Sequence, residues 1–231
     1  MDMHKYADLP TSDIESYTAS SSFELAGKEL EFKIDDGSSF SMTFAAFPNK
    51  EVYVNGASRG ISYHCAKISD QVVYITYRLP ESFMAYIFDI EKGLLTRIVT
   101  DKKNNSVFSF GAIGELKNLH SFSDDLGGNT IRWTLGKSES SVFLAVYNAD
   151  GVSLARPYAE SAPNVIVTDF RAVKITDSVY LQKALIKIGT EEINVNMVSN
   201  FWNVTCIGSI FNASVTKGVS TRLFAGYGRL C

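Results

Sequence analysis

The sequence of 231 residues is short of the residue types that build the commonest metal and disulfide sites. It contains three cysteines, Cys65, Cys206 and Cys231, an odd number without a Cys-x-x-Cys pair. A disulfide framework and a structural zinc site are therefore not expected, and free thiols fit a reducing compartment. The three histidines lie far apart and share no metal-binding spacing with acidic residues. We expect neither a metal nor a cofactor.

Long apolar runs and an excess of positive charge are also missing. No run approaches the roughly 18–20 apolar residues that cross a bilayer. Residues 1–22 are polar and lack the apolar segment of a secretory signal. The net charge of −3 offers no basic surface for a phosphate backbone. The sequence therefore predicts no nucleic-acid partner, no membrane association and a cytoplasmic location.

Sequence motifs of the major enzyme classes are missing as well. No glycine-rich dinucleotide or phosphate loop follows a strand-like segment, and neither HExxH nor GxSxG occurs. An enzymatic activity of this chain would then have to use side chains that meet only in the folded protein.

What the sequence does contain is an internal repeat. Lys67-Ile68-Ser69-Asp70 recurs as Lys174-Ile175-Thr176-Asp177, and each copy leads into an apolar run. Leu25-Ala26-Gly27 and Leu126-Gly127-Gly128 each open an alternating segment. Repeats about 100 residues apart are longer than the roughly 20–50 residues of solenoid units, so they indicate two tandem domains of one fold.

Within each copy the apolar residues recur with a period of two. Leu30, Phe32 and Ile34 alternate with polar residues, and the turn Asp35-Asp36-Gly37 follows. Short alternating segments joined by turns predict an all-β fold of two tandem up-and-down antiparallel barrels. The predicted divisions are a flexible N-terminal arm (1–22), a first barrel (23–113), a linker (114–125) and a second barrel (126–231).

The chain resembles the molybdenum cofactor biosynthesis F (MoaF-like) family of the calycin, or lipocalin-like, group. The following segments carry the resemblance: Leu25-x-Gly27-Lys28, Asp35-Asp36-Gly37, Tyr63-His64-x-x-Lys67-Ile68-x-Asp70, Phe88-Asp89-Ile90-x-x-Gly93, Asp125-Leu126-x-Gly128-x-x-Ile131-x-Trp133-x-Leu135 and Asp169-Phe170-x-x-Val173-Lys174-Ile175-x-Asp177. The resemblance implies barrels that bind hydrophobic small molecules, and barrels of this group also act as decarboxylases, isomerases or cyclases.

Candidate site residues are polar or aromatic side chains that interrupt apolar strand faces. His64, the one histidine on a predicted strand, is a candidate for proton transfer, together with Tyr63. Arg156, beside Pro157 at a strand end, is placed to hold an oxygen of a substrate at a barrel mouth. The predicted substrate-binding residues are Tyr53, Tyr74, Arg78, Trp133, Tyr147 and Trp202. The tyrosines crowded around His64 favour the first barrel as the location of the pocket.

Three functions are compatible with these features. The first is a cofactor-free biosynthetic enzyme, a cyclase, pericyclase, isomerase or lyase acting on a hydrophobic metabolite held in a barrel. The second is a non-catalytic carrier or sensor of a similar small molecule. The third is an interaction protein with solid barrels whose edge strands form a homodimer. A cavity separates the first two functions from the third.

Overall fold

The computed structural model describes residues 21–136, 142–156, 165–214 and 218–231. These residues form strands and turns and contain no helix, hence none able to cross a membrane. The chain divides into two compact units, one of Ser20–Ser121 and one that includes Phe122–Cys231. The all-β prediction of two tandem antiparallel barrels is confirmed. Most of the predicted N-terminal arm, residues 1–20, lies outside the described residues.

The first unit is a closed up-and-down barrel of eight strands. Its strands are β1 (Glu29–Ile34), β2 (Ser39–Phe44), β3 (Glu51–Val54), β4 (Ile61–Lys67), β5 (Val72–Arg78), β6 (Ser82–Asp89), β7 (Leu94–Asp101) and β8 (Ser106–Ala112). Each strand pairs with the next, and β1 closes the barrel through Lys33 opposite Ala112 and Ile34 opposite Gly111. Closure leaves no unpaired strand edge in this barrel.

Large side chains fill the interior of the first barrel. The ring of Phe32 lies 5.3 Å from that of Phe40 and 5.5 Å from that of Phe88. Tyr77 and Tyr86 stack at 5.5 Å, and their hydroxyl oxygens are 2.6 Å apart. Alternation along the strands directs these residues inward, where their burial stabilises the closed sheet.

The second unit is a nine-stranded antiparallel sheet. Its strands are β9 (Ser121–Phe122), β10 (Thr130–Thr134), β11 (Val142–Asn148), β12 (Gly151–Ala155), β13 (Val165–Lys174), β14 (Val179–Ile188), β15 (Glu191–Asn200), β16 (Thr205–Ser214) and β17 (Gly218–Leu230). The strand order is β12-β11-β10-β17-β16-β15-β14-β13-β9. Strand β12 also approaches β13 without joining its ladder, so the sheet curls into a barrel that its hydrogen bonds do not close.

The sequence repeat corresponds to a repeat of backbone hydrogen bonds. In the first unit the Ile68 amide donates to the Val72 carbonyl at 3.0 Å, and in the second the Ile175 amide donates to the Val179 carbonyl at 2.9 Å. Gly27 and Gly128 end equivalent opening turns at φ of 75° and 81°, values that favour glycine. The two units are therefore copies of one fold, and positions can be compared between them through their strand registers.

The interval 114–125, predicted as a linker, contains β9 and a buried histidine. His120 is 5% exposed, and a hydrogen bond of 2.9 Å joins its Nδ1 to Oγ1 of Thr96 on β7. Asp125, the last residue of the interval, forms an ion pair of 3.0 Å with Lys174 in the second unit. His120 is thus held by the first barrel and Asp125 by the second.

Candidate functional site

The second barrel encloses a cavity of about 350 Å³. Its lining is dominated by aliphatic and aromatic side chains: Leu135, Phe143, Ala145, Val152, Leu154, Val165, Phe170, Ala184, Ile186, Ile188, Ile193, Val195, Met197, Ile210 and Phe224. Trp133, Tyr147, Gln182, Arg156 and Arg222 complete it. Small-molecule sites are commonly apolar cavities of about 300–1,000 Å³ with a few polar groups, and this cavity fits that description.

Small side chains at interior positions open the cavity. Strand registers make Ala184 of β14 equivalent to Tyr77 of β5, because both strands follow the repeated Lys-Ile-x-Asp turn. In the same way Ala145 of β11 is equivalent to Met42 of β2. Two large side chains that fill the first barrel are therefore alanines in the second.

At a third pair of equivalent positions, an arginine of the first barrel corresponds to a glycine of the second. Arg97 of β7, which lies over the Phe40 ring inside the first barrel, is equivalent to Gly208 of β16. Phe224 occupies part of the space beside Gly208, since a Cβ built on that glycine would lie 2.5 Å from the Phe224 ring. The ring does not replace all the volume lost at the other two positions, and a cavity remains.

A chain of buried polar groups forms the floor of the cavity. Trp133 Nε1 donates a hydrogen bond to the Tyr147 hydroxyl at 3.2 Å, and that hydroxyl donates to Oε1 of Gln182 at 2.6 Å. Nε2 of Gln182 in turn donates to Oγ of Ser199 at 2.8 Å. We call these four residues the floor chain; each is at most 4% exposed.

The floor chain holds its own polar side chains in fixed orientations and is not suited to proton transfer. Burial raises the pKa of the Tyr147 hydroxyl above its ordinary value, against the smaller opposite effect of the hydrogen bonds from Trp133 and to Gln182. Tyr147 therefore stays protonated, and its single proton is already donated to Gln182. The floor offers a ligand the free lone pairs of the Tyr147 and Gln182 oxygens and the second N–H of Gln182.

Two arginines lie toward the opposite end of the same cavity. Arg156 directly follows β12, and Arg222 lies on the first part of β17, opposite Ile210. In this antiparallel sheet the end of β12, the start of β13 and the start of β17 lie at one rim, away from Tyr147 and Gln182. Arg156 is half-buried and Arg222 is exposed, as expected for a mouth.

Three of the predicted site residues meet at this cavity. Trp133 and Tyr147 belong to the floor chain, and Arg156 lies at the mouth as its position beside Pro157 indicated. Trp202 does not join them, because it lies in the turn between β15 and β16 with 64% of its side chain exposed. Gln182 was not among the predicted residues, since a single amide on an apolar strand gives little signal.

The remaining predicted residues belong to the first barrel and do not line the cavity. Tyr63 is buried against Phe44 at a ring distance of 5.2 Å, and Tyr53 bonds Glu51 at 3.2 Å. Strand alternation puts His64 on the face opposite Tyr63, which separates the proposed catalytic pair.

Two further first-barrel residues are also outside the site. Tyr74 is 1% exposed, and alternation along β5 places it on the face opposite Ile75, which belongs to the barrel core. Arg78 is exposed at the end of β5. The cavity thus lies in the second barrel, whereas the crowding of tyrosines favoured the first. Of those tyrosines, Tyr63 and Tyr77 pack in the core of the first barrel and leave no site there.

Among the described ranges, no group of three His, Cys, Asp or Glu side chains is placed to hold a metal ion. Comparison with known proteins adds no family: no protein-family model matches the chain, and no curated protein matches it. The MoaF-like resemblance stays a prediction from the sequence motifs.

Proposed function

We propose that this protein binds a hydrophobic small molecule inside its second barrel. The observation that carries the proposal is the apolar cavity of about 350 Å³, which the equivalent positions of the first barrel fill with side chains. An apolar ligand gains roughly 25 cal/mol for each Å² of its surface that it buries in such a cavity. Carriage or sensing of a small molecule is the function that this geometry supports best.

A second candidate is catalysis on the bound molecule, as a cofactor-free cyclase, isomerase or lyase. The floor chain favours it, because a fixed row of polar groups in an otherwise apolar cavity can hold a flexible substrate in one conformation. With Tyr147 protonated and its proton engaged, such catalysis would rest on orientation rather than on acid–base chemistry at the floor. Conversion of a bound ligand to a cyclised or rearranged isomer, or its cleavage into two products whose compositions add up to that of the ligand, would support this candidate over simple carriage.

The cytoplasm is the location we propose for this binding activity. The thiols of Cys65, Cys206 and Cys231 are free, and two of them are buried. Free thiols persist in reducing compartments.

Intrinsic fluorescence tests the binding proposal directly, because the chain has two tryptophans and one of them lies in the floor. In Trp202→Phe the remaining emission comes from Trp133. Titration with decanol should change the intensity or wavelength of that emission and saturate at one ligand per chain. Unchanged emission, with no binding heat by calorimetry, would reject the proposal.

A pair of substitutions tests whether the ligand binds in the cavity of the second barrel. Ala145→Met with Ala184→Tyr gives the second barrel the side chains of the packed first barrel and should abolish decanol binding. Val146→Met is the matched control, since Val146 is 36% exposed and neighbours Ala145 on the other face of β11. Equal binding by the filled variant and the control would show that the ligand does not occupy the cavity.

A further inference from the structure

The charged groups around the cavity define the class of ligand more narrowly. Arg156 and Arg222 are the charged side chains in its described lining, and no aspartate, glutamate, lysine or histidine is among the lining residues there. The chain as a whole carries a net charge of −3, so paired arginines at one rim do not reflect a general basic surface. The charge of the cavity mouth is opposite to that of the protein.

The polar groups at the mouth of the cavity and those at its floor favour different groups of a ligand. The mouth offers guanidinium groups, which only donate hydrogen bonds and match carboxylates in geometry and charge. The floor offers neutral groups, and the Trp133 N–H, the Tyr147 O–H and one N–H of Gln182 are already engaged within the floor chain. An anionic group is therefore favoured at the mouth and not at the floor, and the apolar walls lie between the two.

We propose that the ligand is an amphipathic acid, with its carboxylate at Arg156 and Arg222 and its apolar body directed toward the floor chain. This inference rests on the proposed function, since it assigns an orientation and a charge to the ligand of the same cavity. The carboxylate remains near solvent, where a partly exposed guanidinium can meet it without the cost of burying either charge.

Two probe molecules separate the contribution of the carboxylate to the affinity from that of the alkyl chain. Decanoate and decanol have the same chain length and differ in the head group, and their affinities are measured by the Trp133 emission of Trp202→Phe. At low salt we expect decanoate to bind about tenfold more tightly than decanol, the effect of a charge-assisted hydrogen bond near solvent. Raising the salt concentration should reduce this preference, because exposed charges are screened.

Substitution of the arginines tests their part in the preference. Arg156→Gln with Arg222→Gln should bring the affinity for decanoate to that for decanol in the same variant, and circular dichroism of the variant shows whether the protein remains folded. Arg229→Gln is the control for loss of an arginine elsewhere: it removes one positive charge from an exposed position on β17 outside the lining and should keep the preference.

The outcomes distinguish this inference from the proposed function. Equal affinities of the two probes in the protein with both arginines, or a preference that survives their removal, would overturn the acid-binding inference and leave cavity binding in place. Failure of both probes to bind would overturn the proposed function itself.

Discussion

The Tyr147 hydroxyl donates a hydrogen bond to Oε1 of Gln182 at 2.6 Å and joins strands β11 and β14 across the floor of the second barrel. The same hydroxyl accepts a bond from Trp133 of β10. Three strands that are not all neighbours in the sheet are thus connected through one side chain. Buried polar groups connected in this way fix the relative positions of the strands.

Replacement of Tyr147 by phenylalanine should destabilise the second unit. It leaves the Trp133 N–H without its acceptor and the Gln182 oxygen without its donor, at a cost of about 1–3 kcal/mol. Urea unfolding followed by Trp133 emission in the Trp202→Phe background measures this cost.

Tyr63→Phe is the matched control in the first barrel. The Tyr63 hydroxyl is buried without a hydrogen-bond partner among the described residues, so its removal should change the stability by about 0.5 kcal/mol or less. Since Trp133 reports on the second unit, unfolding of this variant is followed by circular dichroism. A Tyr147→Phe variant as stable as Tyr63→Phe would contradict the structural role of the floor chain.

Equivalent ion pairs in the two units should contribute unequally. Lys174 lies 3.0 Å from Asp125, which also accepts a 3.0 Å bond from Tyr180, whereas Lys67 lies 4.0 Å from Glu24. We expect Asp125→Asn to cost about 0.5–1 kcal/mol, because the carboxylate is 36% exposed and screened by solvent, and Glu24→Gln to cost less.

The pH dependence gives a second measurement of the same pair. The hydrogen bonds from Lys174 and Tyr180 lower the pKa of Asp125 below its ordinary value. A lowered pKa in the folded state stabilises the protein above the unfolded pKa of about 3.9, and the gain is lost as the pH falls through the folded value. The stability difference between wild type and Asp125→Asn should therefore shrink below about pH 4. A constant difference would contradict the ion pair.

His120 should make the first unit sensitive to mild acid. Burial lowers the pKa of this imidazole to about 4, although the nearby Asp89 carboxylate raises it. Between an unfolded pKa of about 6.5 and the folded value, the unfolded state binds more protons, so stability falls as the pH is lowered, by up to about 1.4 kcal/mol per pH unit. Above pH 7 the group is neutral in both states and the effect disappears.

Comparison of wild type with His120→Gln separates this effect from general acid destabilisation. Between pH 7 and pH 5, the free energy of unfolding should fall less for His120→Gln than for wild type. A nuclear magnetic resonance titration should find the His120 imidazole neutral at pH 6. An imidazole that is charged at that pH, or an equal loss of stability in wild type and His120→Gln, would show that burial does not hold His120 neutral.

The fold could be predicted from the sequence because its signals are local. The alternation of Leu30, Phe32 and Ile34 requires a strand with one buried face, and the glycines of the opening turns adopt a positive φ. Repetition of these signals in both halves indicated two copies. Each such signal depends on residues that are neighbours in the chain, and the structure places them as predicted.

The position of the site could not be predicted in the same way. Whether a barrel is filled or hollow depends on the summed volume of inward side chains from all its strands, which meet only in the fold. Tyr63 and Tyr77 indicated a site but are core packing, and the alanine equivalent to Tyr77 leaves space. Comparison of the two copies position by position, Tyr77 with Ala184 and Met42 with Ala145, is the signal that identifies the hollow barrel.

Intermolecular nuclear Overhauser effects from bound decanol test the central claim most directly, because they report which methyl groups lie beside the ligand. With methyl-labelled protein, we expect contacts from the alkyl chain to Ile186 and Val195, which line the cavity of the second barrel. Val73 and Ile75, buried in the first barrel, should show none. Contacts to the first-barrel methyls, or to neither set while decanol is bound, would contradict a ligand site inside the second barrel.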